Sequence, residues 1–356
     1  MNLMDLTTFA LVGTVLALLS ASTIIAQLLK QQTDTGLNPA VIEQFNLRIR
    51  AWWILCAVLA TAFLFRRAVT VWLFGGLSFW ALREFITLTP TRMADHRALF
   101  WVFFLFTPLQ YVLVGYDQYS LFSIVIPVYG FLFIPARIAF AGDFKRYLER
   151  CAKIQAGLMI CVYCLSYAPA LLYMKLPVPA PAGAAAGAAT AQAAEGDTEG
   201  GSEGTAKAAA APAAAPQQNL PLNARLLFFF LLVVTLGDAF QYLSEKTLGK
   251  HVIAPAISPN RTWEGYLGGV GCATLFGTVM WWATPFKPWE AALTSLVITT
   301  MGFAGGMTMS AIKRDRGVKD YGTLVEGHGG VLDRIDSTCF AAPVFYHLTR
   351  FIFPQG

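Results

Sequence analysis

The sequence predicts an all-α integral membrane protein, a polytopic helical bundle of about 9–10 transmembrane helices. Three observations carry that prediction. Of the 356 residues, 56% are hydrophobic and only 13% are charged, a balance that suits solvation by lipid rather than by water. Apolar runs close to the length of about 20 residues that crosses the hydrocarbon recur along most of the chain. Between them Lys and Arg collect in short loops, the distribution that sets orientation in a bilayer.

The runs fall at 8–29, 51–65, 68–85, 99–115, 119–140, 153–174, 224–243, 266–284, 291–311 and 337–353. The second and tenth are short, which leaves room for a count of eight or nine. The first is long enough to stay as an anchor, and Asp5 precedes it where a cleavable leader would carry basic residues. With ten spans, Arg48 and Arg50, Arg92 and Arg97, Arg137 to Lys153, Lys246 to Arg261, and Lys313 to Arg334 all collect on one side. That side is expected to be the cytoplasmic face of the inner membrane, with both termini opposite. Arg66 and Arg67 run against the bias and make the second and third spans the weakest part of the scheme.

Residues 177–222 interrupt the pattern with an Ala-, Pro- and Gly-rich run carrying Glu195, Asp197, Glu199 and Glu203. Such a segment has too few apolar side chains to bury a core and reads as a disordered outer linker. It divides the chain into an N-terminal transmembrane region, 1–176, and a C-terminal transmembrane region, 223–356.

Composition also excludes some functions. The net charge of +5 is spread through loops and forms no separate basic domain, so no nucleic-acid partner is expected. The six cysteines are scattered, and the Cys161–Cys164 pair sits inside a span without the second pair that zinc needs. His96 and His251 read as interfacial and His347 as a packed residue. The triplet Arg83-Glu84-Phe85 reads first as a snorkelling interfacial ion pair, and second as a way for Glu84 to face the site from the other half.

Charge and glycine are densest in SAIKRDRGVKDYGTLVEGHGGVLDRIDS, residues 310–337. Cations at Lys313, Arg314, Arg316 and Lys319 stand beside a Gly327-His328-Gly329-Gly330 turn and carboxylates at Asp320, Asp333 and Asp336. Cations with carboxylates suit phosphate plus metal. Asp333 and Asp336 share one face of a helix that starts near Val331, and two like charges that close call for a cation such as magnesium. Glycines ahead of a helix N-terminus let backbone N–H groups approach an anion.

As an ordered string these residues resemble the C-terminal signature of the phosphatidate cytidylyltransferase family: Ser310, Lys313, Arg314, Lys319, Asp320, His328, Gly329, Gly330, Asp333, Arg334 and Asp336 fill its positions, with Glu326 where the family commonly has Pro. An upstream block, residues 237–269, is similar to a second family stretch through Asp238, Gly249, Lys250, Ser258, Pro259, Thr262, Glu264 and Gly265, with Arg261 in place of the usual Lys. The resemblance implies a cytoplasmic interfacial active site that joins CTP to phosphatidate and releases pyrophosphate. It implies Asp320, Asp333 and Asp336 at magnesium, and Lys313, Arg314, Lys319 and Arg334 at phosphates. Ser258, Arg261, Thr262 and Glu264 would hold CTP, His328, Gly329 and Gly330 would form the anion-binding turn, and Asp238 is a further candidate. Membrane lipids are the other expected partners, and a homodimer stays open. The other readings are a cytidylyltransferase for a different lipid phosphate, a lipid kinase, and a transporter or inactive scaffold.

Overall fold

The structure, a computed structural model, describes residues 67–88, 91–176, 220–322 and 329–354, with positions 13, 20, 23 and 24. Apart from those four positions, the first two expected spans, with most of the 177–222 linker, Glu326, Gly327 and His328, lie outside the described residues. The rest form eight long helices: α1 (Arg67–Leu88), α2 (Met93–Gly115), α3 (Tyr119–Ala139), α4 (Tyr147–Tyr173), α5 (Leu220–Leu248), α6 (Trp263–Val279), α7 (Pro288–Asp315) and α8 (Leu332–Ile352). Helices dominate because hydrocarbon offers no partner for backbone N–H and C=O groups, which must then be satisfied within the segment.

Six of these, α1 to α5 and α7, are long and apolar enough to cross a membrane. The 17-residue α6 is short, and α8 carries Asp333, Arg334 and Asp336 in its first turns. Most helices run a turn or so beyond the apolar windows: α5 continues through Glu245 to Leu248, and α7 through Lys313 and Arg314. Hydropathy marks where lipid contact ends, whereas the helix goes on to present charged side chains at the interface.

Helices α2, α3 and α4 each contain a wide π-helical turn, at Val102–Phe106, Val125–Gly130 and Leu158–Cys164. The causes are local. Pro108 and Pro127 lack the N–H that would close the ladder, and Val102 O accepts from both Thr107 N and, at 2.9 Å, Thr107 Oγ1. In α4, Ser78 Oγ reaches in from α1 to donate to Cys161 O at 2.7 Å. Cys161 itself is fully buried filler, as its apolar setting predicts.

The region before the linker and the region after it pack as one bundle. Asn223, at the start of α5, donates to Leu172 O at 2.9 Å and Met174 O at 2.7 Å at the end of α4. Tyr167 of α4 meets Tyr346 of α8 edge-on at 5.2 Å, with His347 against the same ring at 5.1 Å. Close helix approach rests on small residues. A Cβ on Gly269 of α6 would fall 2.6 Å from Gln241 Cβ on α5. At the loop-rich end, buried Arg150 donates to Asp95 at 2.6 and 2.9 Å and to the carbonyls of Asp143 and Lys145, tying α4 to α2 and to the α3–α4 loop.

One element was not expected from the sequence. Residues 249–262, read as a loop, form a two-stranded antiparallel hairpin of β1 (Val252–Ala254) and β2 (Ser258–Thr262), pairing Val252 with Thr262 and Ala254 with Ser258. It is too short for a period-two pattern to stand out, and it is closed by side chains from outside it.

Candidate functional site

The charged ends of α1, α5, α7 and α8, the start of α6 and the hairpin meet at one end of the bundle. The site is assembled around the N-terminus of α8, whose first amides have no partner inside the helix. Asp333 Oδ2 accepts from Gly330 N at 2.9 Å and from Tyr321 N at 2.8 Å, and Lys313 Nζ donates to Asp333 Oδ1 at 2.7 Å. Glu84, arriving from α1, takes the next two amides: Val331 N at 3.0 Å and Leu332 N at 2.9 Å, 248 positions along the chain in the second case. Trp80 Nε1 supports the same carboxylate at 3.2 Å.

This corrects the first reading of the Arg83-Glu84 pair. Arg83 lies over the Trp80 ring, while Glu84 is buried at 6% exposure and turned into the bundle. The glycines of the turn now have a local reason. Gly329 has φ of +77°, which favours glycine, and a Cβ there would come 2.8 Å from Asp333 Oδ2. At Gly330 a Cβ would collide with Glu84 Oε2. The amides at Gly330, Val331 and Leu332, which could have served an anionic ligand, are capped by the protein's own carboxylates.

Asp336 stands one turn further on, in different surroundings. Ser337 N and Oγ approach its Oδ1 at 2.7 and 3.4 Å, and the same hydroxyl lies 3.0 Å from Asp238 Oδ1 on α5. Gly306 of α7 leaves the room: a Cβ there would be 3.7 Å from Arg261 Nη2 and 3.9 Å from Asp336 Oδ2. Arg261 also donates from Nη1 to Glu245 Oε1 at 3.3 Å, an oxygen that Gln241 Nε2 approaches at 2.9 Å. Beside Asp238 lies a small crevice lined by Gly237, Gln241, Gly269, Thr299 and Gly302.

Of the upstream block, Thr262 Oγ1 accepts from Gly265 N at 3.1 Å and caps α6. Glu264 Oε2 accepts from Lys250 N and His251 N, both at 3.1 Å, and Oε1 pairs with His251 Nδ1. The His251 imidazole and these two amides hold the Glu264 carboxyl down at about 2. Ser258 is half-buried in β2. Arg314 donates to Ile257 O at 3.1 Å and Val318 O at 3.3 Å, pinning the hairpin to the end of α7. Lys319, Asp320 and Arg334 are exposed.

The three carboxylates that the sequence groups at one metal are therefore divided. Asp333 is held by Lys313 and two amides, and Asp336 faces Asp238. A Cβ on Gly329 would lie 3.4 Å from Asp320 Oδ1, on the Asp333 side. No group of three His, Cys, Asp or Glu side chains placed to hold a metal occurs among the described residues. The pair that fits a divalent cation is Asp336 with Asp238, two carboxylates on facing helices joined by one hydroxyl. The sequence did not single out Glu245, Tyr321 or Ser337. Tyr321 is buried, with its hydroxyl donating to Met309 O at 3.0 Å and its ring 5.4 Å from Lys313 Nζ. Its one signal was an aromatic directly after Lys319-Asp320.

The profile of the Cytidylyltransferase family matches residues 46–352. A protein of Escherichia coli (strain K12), named Uncharacterized protein YnbB, is 32% identical over 340 residues, 94% of this chain and 97% of its own length. The phosphatidate cytidylyltransferase of Staphylococcus haemolyticus (strain JCSC1435) is 40% identical over 115 residues, 32% of this chain and 44% of that enzyme. That of Staphylococcus epidermidis (strain ATCC 12228 / FDA PCI 1200) is 39% identical over 122 residues, 34% of this chain and 47% of that enzyme. In both, the match spans less than half of the relative's length.

Proposed function

The chain belongs to the cytidylyltransferase family, a family of nucleotidyltransferases, and from that premise we propose that it joins CTP to phosphatidate, giving CDP-diacylglycerol and pyrophosphate. The observation that carries this reading is the facing pair Asp336 and Asp238, with Arg261 beside it and Lys313 bound to Asp333 one helical turn before Asp336. It combines the charges needed to hold two anionic substrates that repel each other.

The reaction needs no protein nucleophile. An ionised phosphate oxygen of phosphatidate attacks the α-phosphorus of CTP, the bond from that phosphorus to the oxygen bridging the β-phosphate breaks, and pyrophosphate leaves with the electron pair. Lys313, kept in place by Asp333, and Arg261, kept in place by Glu245, supply positive charge where the leaving group gains negative charge. Arg314, Lys319 and Arg334 guide phosphates toward them from the rim. Ser258 and the hairpin that Thr262 and Glu264 hold in shape border the nucleotide. Magnesium held by Asp336 and Asp238 would supply Lewis-acid stabilisation of the phosphate oxygens. The Gly329-Gly330 turn shapes the floor of the site, and the lipid tails enter sideways from the bilayer.

Purified protein given CTP labelled at the α-phosphate and phosphatidate should yield labelled CDP-lipid and one pyrophosphate per turnover. Labelled CDP without pyrophosphate would indicate a lipid kinase and overturn the reading. By the same reading we put the site at the cytoplasmic face of the inner membrane, where CTP is available, on the strength of the Lys and Arg bias of its loops. A cysteine at exposed Thr247 should resist a membrane-impermeant thiol reagent until the membrane is opened, and labelling in intact cells would reverse that orientation.

A further inference from the structure

Glu84 belongs to neither of the blocks from which the chemistry was read, yet it sits against both edges of the catalytic turn. Its oxygens accept from Val331 N and Leu332 N. A Cβ on Gly322 would lie 3.0 Å from Oε1 and 3.3 Å from Gly330 Cα, so two glycines close over one carboxylate. The carboxylate is fixed from behind by Trp80, whose ring carries Arg83. The next residue along α1, Phe85, stacks on Tyr321 with ring centroids 6.3 Å apart, and Tyr321 N in turn donates to Asp333.

These contacts have a common consequence. The first turn of α8 carries Asp333 and Asp336, so any rotation or slide of that turn moves Asp333 relative to Lys313 and Asp336 relative to Asp238. A negative charge at a helix N-terminus with two bonds to backbone amides is a strong and directional anchor. The residue that resists such movement comes from the other half of the chain. We propose that Glu84 is a positioning residue for nucleotidyl transfer, holding the α8 N-terminus so that the two carboxylates of its first turn meet their partners on α7 and α5. The proposal rests on the reading that those partners handle the reacting phosphates. It also makes the region before the linker part of the working site.

The test uses the full chain in lipid nanodiscs. Glu84→Gln keeps the size but turns an amide NH2 toward one of the two backbone donors. Turnover is expected to fall about ten- to a hundredfold while the KM for CTP moves less than about threefold, because orientation in the transition state is lost more than nucleotide binding. The magnesium concentration for half-activation should rise several-fold. Glu84→Asp should recover part of the turnover, and Trp80→Phe, which removes one donor at 3.2 Å but leaves the carboxylate on its two amides, should lower turnover less than Glu84→Gln does.

Hydrogen exchange provides a second reading that needs no substrate, so it stands even if phosphatidate proves to be the wrong lipid. In Glu84→Gln the peptide covering 329–336 should exchange at least about tenfold faster, with α2 and α3 unchanged. Parent-like turnover together with parent-like exchange at 329–336 would overturn the proposal. Exchange that rises equally throughout the bundle would overturn it too, since that would be general destabilisation rather than positioning.

Discussion

Asp333 and Asp336 lie one turn apart on α8, yet they belong to two regions built on different principles. Around Asp333 and Glu84 each carboxylate oxygen has a hydrogen-bond donor: two amides and Lys313 for one, two amides and Trp80 for the other. Around Asp336 and Asp238 two carboxylates share a hydroxyl, with Arg261 close by. The first region satisfies its charges internally and so fixes geometry. The second brings two carboxylates together, and the proposed reading assigns that negative charge to a cation that in turn holds phosphate. Sequence motifs that group the acidic residues by spacing alone miss this difference.

Neutralising a carboxylate in either region should have the largest effect on turnover, and stability should tell the two apart. Asp336→Asn is expected to lower turnover at least about a hundredfold while the thermal midpoint stays level or rises, because a like-charge repulsion is removed. Turnover and melting measured on one preparation check both halves of that statement, and near-normal turnover at saturating magnesium would remove Asp336 from the site.

Asp333→Asn sharpens the contrast from the other side. It leaves Lys313 without its carboxylate and turns an NH2 group toward either that ammonium or the two backbone donors. Turnover should drop by at least about a hundredfold here too, but now stability should fall by about 1–3 kcal/mol as well. Denaturation that matches the parent would mean that the carboxylate is not the anchor its bonds describe. A smaller change is expected for Ser337→Ala, which removes the bridging hydroxyl and keeps both charges. Its turnover should decline about three- to tenfold with the magnesium requirement raised, and a magnesium titration reads this directly.

The smallest effect concerns Glu264 and pH. Its carboxyl is held at about 2 by His251 and two amides, below its ordinary value, so the stability it lends the hairpin is present above about 4.5 and lost as pH falls toward 2. Between pH 5 and 9 the proteolytic resistance of the hairpin should therefore be flat with respect to Glu264. Glu264→Gln should loosen it across that range, and a variant as protease-resistant as the parent would show that the carboxyl does not hold the hairpin.

Much of the molecule was written locally in the chain. Apolar run length determined the all-α membrane class and the positions of the eight described helices, because lipid imposes length and internal hydrogen bonding on any segment that crosses it. The 310–337 string announced its cations, carboxylates and glycines because they are close in sequence. What only the tertiary structure decided is which charge faces which. Glu84 reaches Leu332 across 248 positions, and Asp238 reaches Ser337 across 99. Such pairings depend on how closely helices approach, as at Gly269 against Gln241 and Gly306 between Arg261 and Asp336. Hydropathy and spacing are properties of one segment at a time. The division of the carboxylates into anchors and a cation-attracting pair is a property of four packed helices, and it took shape only when α1, α5, α7 and α8 came together.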